Sequence, residues 1–354
     1  MDDAKISKGA DPAVVGPYLA EQLEDEVWRE CSIELIAGGR SNLTYLVMAG
    51  DREVVLRRPP LGHVLPTAHD MEREFTVIEA LADTDVPVPD AIHLCTDDTV
   101  LGAPFYVMER LHGHILRNSF PPGYADSAEE KRRIGEVVID TLAKIHAVDW
   151  NAVGLAGFGH PEGFMARQVR RWKQQWERSM TRPLPAMDEL IDNLEAHLPD
   201  SPPPTIVHGD FRVDNTILHP TDPGRLVGVL DWEMSTLGDP LADLGMTLVY
   251  WPDRGDVDEF KKAFGQITVT SADGFLSRTE VVERYASATG RDVSPVPYYW
   301  AFGFFKLAVI LEGIHARFLQ GKTVGEGFET IGERVPPLVM IGTYVLDRGE
   351  VGPI

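Results

Sequence analysis

The apolar pattern of this chain changes character near Gly113, and that change limits what the chain can fold into. Up to Arg110, apolar residues come in short β-rich runs, Ser32–Ala37, Leu43–Ala49, Val54–Arg57 and Pro104–Arg110, broken by Gly, Asp and Pro. Runs bounded this way read as strands joined by tight connections. One helix interrupts them. Within Met71–Ala82, the residues Met71, Phe75, Ile78 and Leu81 fall on one helical face, with Thr67 or Asp70 placed to cap its start and Pro87 and Pro89 closing the connection after it. Beyond Gly113 helical spacing dominates: Glu129–His146, Phe164–Met180, Leu241–Tyr250, Val257–Phe264, Arg278–Thr289, Pro297–Gln320 and a last helix past Val324. Short strands are predicted at Ile206–Val207, Thr216–Leu218 and Leu226–Leu230. The expected architecture is α+β in two lobes, a small β-rich lobe over residues 1–110 and a larger helical lobe over residues 111–354.

Charge excludes some partners. The 55 acidic residues outnumber 33 Lys and Arg, for a net charge of −22, which argues against nucleic acid or an anionic membrane surface as the main partner. Cys31 and Cys95 have no motif spacing, so neither a disulfide framework nor a zinc site is expected. The apolar run Tyr298–Leu311 contains Lys306 and falls short of the roughly 20 residues a membrane span needs, so a buried core helix is expected and no membrane insertion. The N-terminus lacks a basic segment followed by an apolar one, and a cytoplasmic protein is expected.

The stretch HGDFRVDN, His208 to Asn215, concentrates titratable and amide side chains between two of the predicted strands. Phosphoryl transfer from a nucleotide needs a carboxylate to orient the attacking hydroxyl and take its proton, and hard oxygen ligands for magnesium. The spacing H-x-D-x-x-x-x-N supplies both in one loop, Asp210 for the first and Asn215 for the second. Asp231 follows in VLDWE after a predicted hairpin and would be the second metal ligand. Upstream, GGRSN lies between two strands: Gly38 and Gly39 allow backbone amides close to phosphates, and Ser41 and Asn42 add side-chain donors.

These segments resemble, in order, the motifs of the aminoglycoside phosphotransferase and choline kinase-like family, which shares the protein-kinase fold. AGGRSNLTYLV, VVLRRPP, FYVMERLHG, HGDFRVDN and VLDWEMSTLGDPLADLG carry the likeness over roughly residues 30–345. The pattern looks most like the subgroup found as the kinase-like domain of acyl-CoA dehydrogenase family members 10 and 11. The resemblance implies a bilobal protein-kinase-like fold using ATP and Mg2+. It implies a cation at Arg57, where the wider family usually has Lys, steadying the α/β-phosphates and oriented by Glu74. Arg58 is the rival cation, and strand alternation lets only one of the two face the site. It implies adenine contacts from the Glu109 and Leu111 backbone with Met108 at the back of the pocket. Asp210 then acts as base, with Arg212 placed either against the transferred phosphate or in a local pair with Asp214. His208 and Asp243 hold the loop, and Asp239 before Pro240 is a helix N-cap.

Three functions fit. The first is a small-molecule kinase whose acceptor is a hydroxyacyl-CoA or related metabolite, as the subgroup resemblance implies. The second is a kinase of aminoglycosides or amino alcohols, and the third a nucleotide-binding pseudokinase or interaction module. For the first, Arg167, Arg170 and Arg171 on the Phe164–Met180 helix would meet CoA phosphates, and Tyr299, Phe302, Phe305 and Ile310 would line an acyl channel.

Overall fold

The computed structural model describes residues 9–37, 42–61, 70–264, 268–322 and 327–354. The chain divides into two units, Met1–His112 with Asp231–Glu233, and Gly113–Leu230 with Met234–Ile354.

The first unit is built on a five-stranded antiparallel sheet of β1 (Ser32–Ala37), β2 (Leu43–Ala49), β3 (Arg52–Arg58), β4 (Ala91–Cys95) and β5 (Phe105–Glu109), in the order β1-β2-β3-β5-β4. On one face Tyr45, Val47, Ala49, Leu56, Phe105 and Val107 pack with Val15, Leu19 and Ala20 of α1 (Pro12–Gln22). α2 (Met71–Leu81) packs against β4 and β5. There Phe75 sets its ring edge against Tyr106, with centroids 6.1 Å apart. The Asp70 carboxylate caps α2 by accepting from the Arg73 N–H at 3.0 Å, while Thr67 lies outside the described residues. α1 and β4 were not foreseen. α1 carries Pro17 in its interior and little amphipathic periodicity, and β4 is an edge strand that leaves Ile92 exposed.

The second unit contains a short turn of loop, then α4 (Ala128–Ala147), α5 (Phe164–Ser179), α6 (Pro185–Ala196), α7 (Pro240–Val249), α8 (Asp258–Phe264), α9 (Arg278–Thr289), α10 (Val296–Leu319) and α11 (Val335–Arg348), with a minor helical turn α3 (Asp98–Leu101) belonging to the first unit. α10 is wrapped by α5, α6, α7 and α11, which explains a sequence apolar nearly all round. It crosses α7 closely. A Cβ at Gly245 would lie 2.4 Å from the Tyr299 carbonyl carbon, and one at Gly303 would lie 2.6 Å from Val249 Cγ2. Among the described residues no helix is long and apolar enough to cross a membrane.

Two small ladders frame the loop of interest: β6 (Thr205–Val207) pairs with β9 (Thr236–Gly238), and β7 (Thr216–Leu218) with β8 (Leu226–Val229). α6 and β9 were also unforeseen; β9 has three residues, too few for any period to show. Elsewhere in this unit Arg278 makes a bidentate pair with Asp256, both contacts at 2.6 Å and both side chains fully buried. The guanidinium carbon lies 4.7 Å from the Phe260 ring centroid and 4.8 Å from that of Trp300.

Candidate active site

In the first unit, β3 sends Arg57 and Arg58 to opposite faces, as strand alternation requires. Arg57 pairs with Glu74 of α2 at 2.9 Å and bonds the Asp231 carboxylate. Glu74 also accepts from the Tyr106 hydroxyl at 2.9 Å and from Asn42 Nδ2 at 2.6 Å, and Asn42 Nδ2 reaches Glu233 at 3.3 Å. Burial works against the Arg57 charge, but Tyr106, Glu74 and Asp231 hold the guanidinium more firmly protonated than usual. Burial pushes the Glu74 carboxyl up, against the pull of Arg57 and its hydrogen bonds. Arg58 instead donates to the carbonyls of Gly9, Leu101 at 2.9 Å and Pro59 at 3.2 Å, and takes no part in this cluster. Asp231 has φ of +68°, in the left-handed region that Asp enters more readily than most residues with a Cβ.

At the end of β5, Met108 is buried and the Glu109 N–H donates to the Asp90 carbonyl at 2.9 Å. The Leu111 N–H makes no hydrogen bond to the described residues. Gly39 and Ser41 lie outside the described residues. Asn42 is described, and its amide is spent on Glu74 and Glu233 rather than turned outward as a phosphate donor.

In the second unit, the loop between β6 and β7 is pinned from inside. The Asp243 carboxylate of α7 accepts from the His208 N–H at 2.6 Å and from the Gly209 N–H at 2.7 Å. His146 of α4 bonds Asp243 at 3.3 Å, and its other ring nitrogen bonds the Tyr285 hydroxyl at 2.7 Å. Burial opposes the Asp243 charge, but the hydrogen bonds from His146 and the Gly209 N–H hold this carboxyl below the ordinary range. Gly209 has φ of +87°, and a Cβ there would sit 2.7 Å from the Met234 carbonyl oxygen, so no other residue fits without displacing backbone.

His208 is buried, its Nδ1 accepting from the Asp210 N–H at 3.3 Å and its Nε2–H donating to the Leu230 carbonyl at 2.9 Å. Both ring nitrogens thus serve backbone, which is an anchoring role. Asn215 Nδ2 donates to the Asp210 carbonyl at 2.8 Å and to its carboxylate Oδ2 at 3.2 Å. That orientation leaves Asn215 Oδ1 as a free hard donor. Asp210 Oδ1 accepts no hydrogen bond from the described residues, and the side chain is 26% exposed. Arg212 takes the local arrangement: it pairs with Asp214 at 3.1 Å, lies 3.5 Å from Asp210 and stacks 4.7 Å over the Tyr250 ring.

Magnesium fits this donor set. Asn215 of the second unit keeps its Oδ1 and Asp231 of the first unit a carboxylate, each by itself a hard oxygen of the kind magnesium takes when phosphate oxygens complete its shell. No group of three or more His, Cys, Asp or Glu side chains able to hold a metal occurs among the described residues.

Two expectations are corrected. The acyl channel does not exist at Tyr299, Phe302 and Phe305. Tyr299 and Phe305 are 0% exposed and Phe302 is 4% exposed, because α10 is covered by its neighbours on every side, and the Tyr299 hydroxyl is bound to Asp239 at 2.6 Å. Arg167 is not free for a phosphate either, since it donates to the carbonyls of His160 and Glu162 and closes the turn before α5. Sequence reasoning passed over Tyr106, His146 and Lys306. The available signal was Lys306, a charge in the middle of a helix otherwise apolar.

A family model described as the phosphotransferase enzyme family matches residues 32–275. Acyl-CoA dehydrogenase family member 10 of Mus musculus is 39% identical over 289 residues, which is 80% of this chain and 26% of the mouse protein. Acyl-CoA dehydrogenase family member 11 of Gallus gallus is 35% identical over 90% of this chain and 40% of its own length. The chain thus spans well under half of the curated relatives it matches. A Ralstonia eutropha structure solved as a candidate aminoglycoside phosphotransferase is 34% identical with a TM-score of 0.78, covering 93% of this chain and 98% of that one. An aminoglycoside phosphotransferase solved as a ternary complex with ADP and hygromycin B shares the kinase-like fold at 14% identity, with a TM-score of 0.61 over 96% of this chain and 99% of that one. With its antiparallel sheet followed by a mostly helical part, and with the match running through both, this chain belongs to the aminoglycoside phosphotransferase family of phosphotransferase enzymes, small-molecule kinases of kinase-like fold.

Proposed function

We propose that the chain is an ATP- and magnesium-dependent kinase that phosphorylates the hydroxyl of a small molecule, with a hydroxyacyl-CoA or related metabolite as the acceptor. The state of the His208–Asn215 loop carries the kinase reading. Asp243, His208 and the side-chain N–H of Asn215 are spent on holding the loop, while Asp210 keeps one carboxylate oxygen unbonded by the described residues and part of its surface open. A positioned base with nothing else to do is what proton removal from an alcohol needs.

In this reading Asp210 Oδ1 orients the acceptor hydroxyl and takes its proton as the hydroxyl oxygen bonds to the γ-phosphorus, while the bond from that phosphorus to the β,γ-bridging oxygen breaks and ADP leaves with the electron pair. Arg57, kept charged and aimed by Glu74, steadies the α/β-phosphates. Leu111 N–H and the Glu109 carbonyl meet the adenine edge, with Met108 behind it. Gly39 and Ser41, outside the described residues, are kept in this reading as phosphate contacts. Asn215 Oδ1 and the Asp231 carboxylate would hold magnesium, which when bound would neutralise charge on the phosphates. Arg212 reaches the transferred phosphate only by leaving Asp214. Support for the acceptor class is the likeness to proteins named acyl-CoA dehydrogenase family members 10 and 11, of which this chain covers 26% and 40%.

The test is ATP consumption with Mg2+ across hydroxyacyl-CoA esters, amino alcohols and aminoglycosides, with the product checked as a phosphate ester by mass. A CoA-ester product is expected. Efficient phosphorylation of kanamycin-like sugars with no CoA ester consumed overturns the acceptor class. Failure to bind ATP overturns the kinase reading.

A further inference from the structure

Lys306 rises from α10 and reaches the backbone beside the candidate base. Its ammonium donates to the Gly209 carbonyl at 2.8 Å, one residue before Asp210, and lies 5.7 Å from the centroid of the Trp172 ring on α5. The residue is 8% exposed. An ammonium carries three N–H donors, and the described residues answer them with one oxygen and one ring face. Burial pushes this group toward losing its proton, against the pull of Asp210 and Asp243, and Arg171 adds to the push. A buried cation of this kind is completed by further acceptors.

Trp172 has the same shortage. Its indole N–H is shielded from solvent and finds no acceptor among the described residues, and the Arg171 guanidinium lies 5.9 Å from the same ring. Arg171 itself is exposed. The seam between α5 and α10 is held in place. Fully buried Glu312 of α10 accepts from the Thr181 N–H and hydroxyl, both at 2.7 Å, just past the end of α5, and Arg182 stands 3.3 Å from its other oxygen. Lys306 and Trp172 are therefore donors on a fixed frame, next to the carboxylate assigned to the acceptor hydroxyl.

We propose that Lys306, walled by Trp172, is the acceptor-binding end of the site: one N–H is spent on Gly209, and the others take a carbonyl or carboxylate oxygen of the acceptor a few bonds from the hydroxyl presented to Asp210. The proposal rests on the phosphotransferase reading and narrows it. Acceptors must pair a hydroxyl with a nearby acyl or carboxylate oxygen. Polyamine acceptors meet a cation where they need carboxylates.

The experiment uses the full chain with hydroxybutyryl-CoA, free hydroxybutyrate and ethanolamine as probes. Melting is followed without ATP, and acceptor and ATP KM are followed with it, for wild type, Lys306→Met and Lys306→Arg. The CoA ester or the free acid should raise the wild-type melting temperature, the two arms separating a thioester from a carboxylate ligand, and ethanolamine should not. Lys306→Arg should keep most of the shift. Lys306→Met should lose it, with acceptor KM up about tenfold or more and ATP KM within about twofold, as expected when a charge-assisted hydrogen bond goes. If neither acyl probe shifts the wild type, or if Lys306→Met shifts as much as wild type, the proposal is overturned. A shift that depends on Lys306 without ATP consumption keeps the proposal and sinks the kinase reading; ATP consumption with a Lys306-independent acceptor KM does the reverse. Should Lys306→Met not fold, Lys306→Gln and Trp172→Phe decide on the same readouts.

Discussion

Arg57 and Arg58 are neighbours on one strand and leave it on opposite faces, Arg57 toward the carboxylates of Glu74 and Asp231, Arg58 toward the carbonyl oxygens of Gly9, Pro59 and Leu101. Their loss should therefore be felt in different assays. Arg57→Ala is expected to raise ATP KM by about tenfold or more, the scale of a lost charge-assisted contact. Arg58→Ala should leave ATP KM within about twofold while lowering the melting temperature, because it strands buried carbonyls. Equal effects on ATP KM would show that the assignment of the two faces to function is wrong.

Asp210→Asn keeps the size of the side chain and removes its capacity as a base. Turnover should fall by about 10²–10⁴-fold with ATP affinity retained. Steady-state kinetics beside nucleotide binding by calorimetry gives the answer, and near-normal turnover would rule out the base.

Asp243→Asn replaces a carboxylate that accepts from both the His208 and Gly209 N–H groups and from His146. An amide offers one acceptor oxygen, so one buried N–H is left unpaired, at a cost of about 1–3 kcal/mol. The pH dependence has a fixed sign. The folded-state pKa of Asp243 is depressed, so its stabilisation is fully present above the unfolded value, about 3.9, and is lost as pH falls through the lower folded value. Urea unfolding of wild type and variant should differ by a constant amount from about pH 5 to 8 and converge in stronger acid. A gap that instead widens in acid contradicts the network.

Magnesium should couple to Asp231. ATP with Mg2+ is expected to raise the wild-type melting temperature more than ATP with a chelator, by mass action on the folded state. In Asp231→Ala the two nucleotide conditions should become indistinguishable. A persisting magnesium effect in that variant moves the metal elsewhere.

Arg278→Met isolates a structural pair from the chemistry. Asp256 would be left charged and fully buried, at a cost of about 3–5 kcal/mol by chemical denaturation. Arg278→Lys should rescue little, since a point charge cannot replace a bidentate fork held between two rings. Full stability in the Lys variant would mean the fork geometry is irrelevant.

Much of this was legible from residues because the informative segments are short and chemically specific. The strand alternation that splits Arg57 from Arg58, the Asp239 cap before Pro240, and the loop from His208 to Asn215 are local patterns, and the structure places each of them as local physics demands. What stayed hidden depends on non-local burial. Tyr299 and Phe305 look the same in sequence whether they line a channel or fill a core, and only the packing of α10 by its neighbours decides for the core. The shared donation of Tyr106 and Asn42 to Glu74 joins residues 32 apart on either side and carries no periodic signature. β4 and β9 were too short or too mixed in polarity to show a period.

The close crossing of α7 and α10 ties two positions together mechanically. Gly245 precedes the end of the helix that presents Asp243, and Gly303 lies less than one turn before Lys306, so the same glycine contact sets how far each helix stands from the loop it touches. Adding a single methyl at either glycine would wedge the helices apart and move an anchor and a ligand donor at once. Variation in acceptor preference among proteins built this way should therefore accumulate on side chains that project from the two helices, while their spacing is inherited unchanged.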